Sequence, residues 1–197
     1  GVHHLSQVAT KHHEEAREKI AQFIHAQYSE EVIFTKGTTD SINTIAFCLG
    51  EQSNPSKEDN QKSFIGENDE IIVTELEHHS NIVPWQMLCQ RKKMSLRIAP
   101  INDDGELLTE SMYELFNEHT RLVAVTHISN VMGSVNPIEE IISKAHSMGI
   151  PVMVDAAQSI PHKRIDIKAL DCDFLVFSGH KMYAPNGSGR SEERRVG

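Results

Sequence analysis

"FLVFSGHKMYAPNG", Phe174 to Gly187, opens as an apolar β-type run and then turns to a hydroxyl, a glycine, an imidazole and an amine. An apolar run without polar alternation fits a strand buried on both faces, as in a parallel sheet covered by helices. Ser178, His180 and Lys181 then fall just past its carboxyl end. Upstream, "IPVMVDAAQ" repeats the pattern, with Asp155 closing the run and Gln158 three positions on.

The same rhythm extends outward. "HHEEAREKIAQFIHAQ" reads as an amphipathic helix with Ile20, Phe23 and Ile24 on its buried side. "EVIFT" (Glu31 to Thr35) is a strand, and "GTTDSINTIAFCLG" starts a helix. Residues 51–68 are polar with one proline and read as a surface loop. "EIIVTE" is a strand, and "SNIVPWQMLCQRKK" is a helix whose Pro84 suits the first turn. "SLRIAP", "TESMYELFNEH" and "RLVAVTHIS" read as strand, helix and strand. "NPIEEIISKAHSMG" is a helix entered by Pro137 and closed by Gly149. Strands alternating with helices predict an α/β fold, with a mostly parallel sheet and helices on both faces. No internal repeat interrupts it.

The bulk composition narrows the function. The 197 residues are 39% apolar, enough for a packed core, and carry a net charge of −9. No basic stripe is present to neutralise phosphates, which argues against a nucleic-acid partner. Three scattered cysteines without CxxC spacing favour a reducing compartment over disulfides or a zinc site. No apolar run approaches the ~20 residues that span a bilayer, so the expectation is a cytoplasmic protein off the membrane. At the far end, "RSEERRVG" (Arg190 to Gly197) shifts abruptly to a charged string resembling the translated read-through of a sequencing adapter. Residues 1–189 are therefore expected to be one incomplete domain and 190–197 a non-native tail, with an exposed native tail as the alternative.

Ligands of such sheets bind outside the carboxyl ends of the strands. The residues expected there are Gly37-Thr38-Thr39, Glu77-His78-His79, Asn130, Asp155 to Gln158, and Ser178 to Lys181. Gly37-Thr38-Thr39 sits at a helix start, where free N–H groups and the helix dipole favour an anion, although a threonine there equally caps its helix. Asp155 by itself could simply cap a turn. With a lysine past the next apolar strand, 26 positions on, the pair suits pyridoxal 5'-phosphate: an amine for a Schiff base and an acid to hold the pyridinium proton. Ser178 and His180 are placed to donate to the cofactor phosphate. His78 could stack on a planar ring and move protons, while His79 reads as a local hydrogen-bonding residue. Gln158 and Asn130 offer amides for a phenolate oxygen or a substrate carboxylate.

Other features take plainer readings. His3, His4, His12 and His13 suit a solvated helix face better than a metal site. Trp85 and Met87 read as helix packing, and Cys48, Cys89 and Cys172 as small core residues.

"TKGTTDSIN", "ELEHHSNIVPWQMLC", "THISNVMGSVNPI", "VMVDAAQSIPH" and "CDFLVFSGHKMYAPNG" together resemble the SufS-type, NifS-like cysteine desulfurases, in the class V aminotransferase family of fold-type I pyridoxal-phosphate enzymes. The resemblance runs from Gly1 to about Gly189, the central part of such an enzyme's large domain. It implies that Lys181 is the Schiff-base lysine, Asp155 the pyridinium partner and Gln158 a contact of the phenolic oxygen. His78 would stack on the ring and assist proton transfer. Thr38, Thr39, Ser178 and His180 would form the phosphate cup, with Asn130 near the cofactor or substrate carboxylate.

It further implies L-cysteine as substrate, with alanine and an enzyme-bound persulfide as products. It also implies a sulfur-acceptor protein of the SUF system, a role in iron–sulfur cluster assembly, and a homodimer. A selenocysteine lyase, another class V lyase of kynureninase or epimerase type, or a non-catalytic fragment are the alternatives. Two departures stand out: Ala184-Pro185-Asn186-Gly187 replaces a more usual GPTG, and the 51–68 loop is long. The smaller C-terminal domain, with its arginines and reactive cysteine, is expected to lie outside this chain.

Overall fold

A computed structural model describes residues 4–51, 65–183 and 189–193. The greater part of the expected surface loop, 52–64, lies outside the described residues. The elements are α1 (His4–Ile24), β1 (Val32–Thr35), α2 (Thr38–Glu51), β2 (Glu70–Thr74), α3 (Val83–Lys92), β3 (Ser95–Ala99) and α4 (Thr109–Glu114). They continue as β4 (Thr120–Thr126), α5 (Ile138–His146), β5 (Val152–Asp155), α6 (Ile167–Leu170), β6 (Phe174–Ser178) and β7 (Gly189–Glu193).

Among the described residues the strands form one seven-stranded sheet in the order β1-β7-β6-β5-β4-β2-β3. Pairs β2–β3, β2–β4, β4–β5 and β5–β6 are parallel, and β7 runs antiparallel to both β1 and β6. The mostly parallel α/β sheet expected from the apolar runs is what forms. Residues 190–193, part of the charged string, supply backbone to β7.

Strand side chains alternate between two apolar layers, as a period of two requires. Ile72, Val123, Val125, Val152, Val154, Leu175 and Phe177 pack with α1, α4 and α5 through Ala21, Ile24, Met112, Ile138, Ile141 and Ile142. Their neighbours Ile71, Val73, Leu122, Ala124, Met153 and Val176 pack with α2 and α3 through Ile42, Ile45, Leu49, Trp85 and Leu88. Each such side chain, fully buried, contributes roughly 1.5–3 kcal/mol. This two-sided burial explains the unbroken apolar runs.

The helices follow their local signals closely. Pro84 sits in the first turn of α3, and Gly149 takes a φ of 71° after α5, a left-handed value that suits glycine. Helix α4 stops earlier than the apolar pattern suggests. The Asn117 side chain donates to Leu115 O at 3.1 Å and accepts from His119 N at 2.8 Å, offering the backbone an alternative to further helix. Helix α6 had no periodic signal; it is short and capped by Asp166, whose carboxylate accepts from Lys168 N and Ala169 N.

Three packing expectations are corrected. Phe23 is 45% exposed, because α1 turns Ala21 and Ile24 inward instead. Met87 is 63% exposed, because Trp85 and Leu88 fill the inner face of α3. Cys48 is exposed on α2, whereas Cys89 and Cys172 are buried.

Candidate active site

The parallel strands β2, β4, β5 and β6 deliver their polar end residues to one edge of the sheet. Register fixes the spacing: Thr126 pairs with Asp155, and Asp155 with Val176, two residues before Ser178. A cavity of about 280 Å³ opens there, near the lower end of small-molecule sites. Thr38, Thr39, His78, Asn130, Asp155, Gln158, Ser178, His180 and Lys181 all line it, joined by Ser80, Thr126 and Ala157. Ala157 falls within the expected Asp155 to Gln158 stretch, whereas Ser80 and Thr126 carried no distinct sequence signal, since small residues past strand ends are commonplace.

One side of the cavity is made of hydroxyls. Ser178 Oγ accepts from Thr38 N at 2.9 Å and shares a hydrogen bond with Thr38 Oγ1 at 2.7 Å. Two hydroxyl protons serve that one bond, so one remains to donate. This pair lies at the N-terminus of the 14-residue α2, where amide donors and the helix dipole favour an anion.

At the base stands Asp155, 4% exposed, with Oδ1 accepting from Ala157 N at 2.9 Å. Burial pushes its carboxyl above the usual range; the Ala157 amide, Lys181 and His78 pull the other way. A buried carboxyl that lines the same cavity as Lys181 is well placed to receive a positively charged heterocycle. Lys181 sits in the 3₁₀ turn Gly179–Met182 that follows β6 directly. His78 begins the turn 79–81, and its Nδ1 accepts from Ser80 N at 3.1 Å. An amide N–H only donates, so the ring proton of neutral His78 sits on Nε2.

Beneath the cavity lies Glu77, a buried carboxyl whose role the sequence did not suggest. It accepts from Thr74 Oγ1 at 2.7 Å, Thr126 N at 2.9 Å and Asn81 Nδ2 at 2.7 Å. Burial nevertheless outweighs these donors and pushes it from 4.5 up to about 8, with Asp155 adding to the rise. Between those two values the unfolded chain has lost this proton while the folded chain keeps it. Stability contributed here is therefore complete below 4.5 and declines as pH rises through 8. Melting temperature is expected to fall across that window, and Glu77→Gln to reduce the slope; equal slopes in both proteins would contradict the assignment.

The donor set suits pyridoxal 5'-phosphate group by group: hydroxyls at a helix start for a phosphate, a buried carboxylate for a ring nitrogen, an amine for an aldehyde and amides for a phenolic oxygen. The fold is that of fold-type I pyridoxal-phosphate enzymes. The chain belongs to the class V aminotransferase family, whose Aminotransferase class-V model matches residues 1–190 and whose members use pyridoxal phosphate.

Cysteine desulfurases from Dickeya dadantii and Cronobacter sakazakii are 48% and 49% identical to it over 189 residues, covering 96% of this chain. The chain spans under half of their length, 43% and 44%. Among solved structures, an apo cysteine desulfurase from Thermococcus onnurineus superposes with a TM-score of 0.87 at 37% identity, over 99% of this chain and 46% of that one. The cysteine desulfurase CsdA from Escherichia coli gives 0.83 at 36% identity, over 96% and 45%.

Proposed function

We propose that this chain is the cofactor-binding part of a SufS-type cysteine desulfurase, which converts L-cysteine to L-alanine and leaves the sulfur on the enzyme as a persulfide. The observation that carries the reading is the meeting of Asp155 and Lys181 at one cavity, from the ends of neighbouring parallel strands. Residues 1–189 form the large-domain portion in this reading.

Each side chain takes a role in keeping with its surroundings. Lys181 would hold the cofactor, and its amine would move protons. Asp155 holds the ring nitrogen in its protonated form. Thr38, Thr39, Ser178 and His180 bind the phosphate, Gln158 the phenolic oxygen, and Asn130 the cofactor or substrate carboxylate. His78, which lines the cavity, would lie against the ring and handle a proton at Nε2, since Nδ1 bonds to Ser80. When bound, pyridoxal phosphate supplies an electron sink that weakens bonds at the substrate Cα.

None of the chain's own thiols suits the sulfur-accepting role. Burial pushes Cys89 up to about 11, Cys172 is buried, and Cys48 lies on α2 away from the cavity lining. The accepting cysteine and the carboxylate-binding arginines belong to the C-terminal half of the complete enzyme.

A homodimer is part of the reading, supported by exposed Phe47, Val83 and Met87 near a 350 Å³ hollow between α2 and α3. Delivery of sulfur to a SUF acceptor, for iron–sulfur cluster assembly, and a cytoplasmic site of action complete it. Three free cysteines accord with a reducing compartment, and among the described residues no helix is long and apolar enough to cross a membrane.

The test uses the complete protein, loaded with cofactor and given L-cysteine and a thiol reductant. Alanine and sulfide are expected in equal amounts. Cofactor uptake without either product would rule out the activity.

A further inference from the structure

Glu77 and Asn81 stand four positions apart and bond to each other across the single turn that holds His78, His79 and Ser80. The other Glu77 oxygen ties that turn to the sheet, accepting from Thr74 Oγ1 at the end of β2 and from Thr126 N at the end of β4. Asn81 Oδ1 accepts from Trp85 Nε1 at 2.8 Å, which reaches into α3. An indole N–H only donates, so it must face the amide oxygen, and the amide nitrogen is thereby turned toward Glu77. Glu77, Asn81, Trp85, Thr74 and Thr126 are all buried. The His78 side chain is exposed to the cavity, and both hydrogen bonds of its Nδ1 run to Ser80, inside the same turn. The imidazole therefore inherits its place from the turn, and the turn takes its place from the Glu77–Asn81–Trp85 chain.

We propose that Glu77 is a positioning residue for His78: its carboxyl, braced by Asn81 and Trp85, sets where the imidazole stands above the cofactor cavity. This rests on the cofactor reading above. A buried, fully partnered polar chain has one low-energy arrangement, and leaving one member unmatched carries a high cost. A ring displaced by about 1 Å from a reacting group loses up to about 100-fold in rate.

Three variants of the complete, cofactor-loaded protein test the proposal. Glu77→Gln keeps the shape but points an NH₂ group at the Asn81 NH₂, breaking that bond alone. Asn81→Asp removes the amide donor and sets two carboxyls face to face, which repel where both are ionised, so this variant is compared above pH 8. The double variant Glu77→Gln/Asn81→Asp transfers the carboxyl to the other end of the same bond and restores it, with the indole still donating to position 81.

Each single variant is expected to lose about 10- to 100-fold in kcat, with KM changing about twofold or less, and to lose most of the visible circular dichroism of the bound cofactor. The double variant is expected to recover both. Should a single variant fail to fold by far-ultraviolet circular dichroism, Trp85→Phe removes only the indole donor and is expected to give a smaller loss of both signals. Wild-type dichroism and rate in Glu77→Gln or Trp85→Phe would overturn the proposal, as would a double variant no better than the singles. A wild-type protein that takes up no pyridoxal phosphate would instead overturn the cofactor reading itself, and this proposal with it.

Discussion

Lys181→Ala is expected to leave a folded protein that neither holds pyridoxal phosphate covalently nor shows the visible absorbance of its Schiff base. Lys181 is the lysine of the cavity lining, and it leaves β6 through a short turn that aims it into the same space as Asp155. Its aliphatic stem is only partly buried, so truncation removes little packing and the fold should survive. Hydroxyls at the start of α2 and the Asp155 carboxyl remain to bind the cofactor reversibly, so it should wash out on dialysis rather than never enter. Loss of both the covalent anchor and the proton carrier is expected to cost at least about 10⁴-fold in turnover. Borohydride reduction of the wild type followed by peptide mass analysis gives the sharper test: the cofactor's mass should appear on Lys181. Its appearance on Lys36, Lys163 or any other lysine would remove the central assignment.

Asp155→Asn should separate stability from function. The amide keeps the shape and can still accept from Ala157 N through its oxygen, so the local turn survives. Burial disfavours the charged form of Asp155, so a neutral replacement relieves a cost and melting temperature should hold or rise. Turnover should nevertheless fall by about 10²–10⁴-fold, because a neutral amide no longer holds a proton on the ring nitrogen. Cofactor affinity should weaken by about 2–5 kcal/mol, the usual penalty for unpairing a buried charged contact. A variant with less stability and unchanged turnover would mean that Asp155 serves the fold and not the ring. Paired melting curves and rates, measured on one preparation, decide between the two.

The order of strands and helices could be read directly from the chain because both faces of the sheet are covered. Val123 and Leu122 point to opposite layers, yet both must be apolar, and the same holds along β2, β5 and β6. The candidate site was legible for a related reason. Once an apolar run is known to end at Asp155 or Ser178, whatever follows stands at the ligand-binding edge. Helix surfaces were harder to read. Each helix buries one stripe, and whether Phe23 or Ile24, Met87 or Leu88, lies on it depends on neighbours distant in sequence. Glu77 shows the same limit: two of its partners are local, but the third, Thr126, lies 49 positions away. The charged string at 190–193 carried no strand signal, since a ladder is built from backbone groups and asks little of the side chains.

Strand β7 has a consequence for the hydroxyl pair. Thr35, at the end of β1, and Ser178, at the end of β6, are both register partners of one residue, Gly189. The two halves of the anion cup, though they come from positions 140 apart in the chain, are thus hung from a common peg. The ends of β1 and β6 stand one strand's width on either side of it, about 10 Å apart in all, and Thr38, three positions past Thr35, closes that gap by hydrogen bonding to Ser178. The peg works as a ruler made of main chain: it sets how far apart the two strands end, and so how far the chain must reach to close the cup.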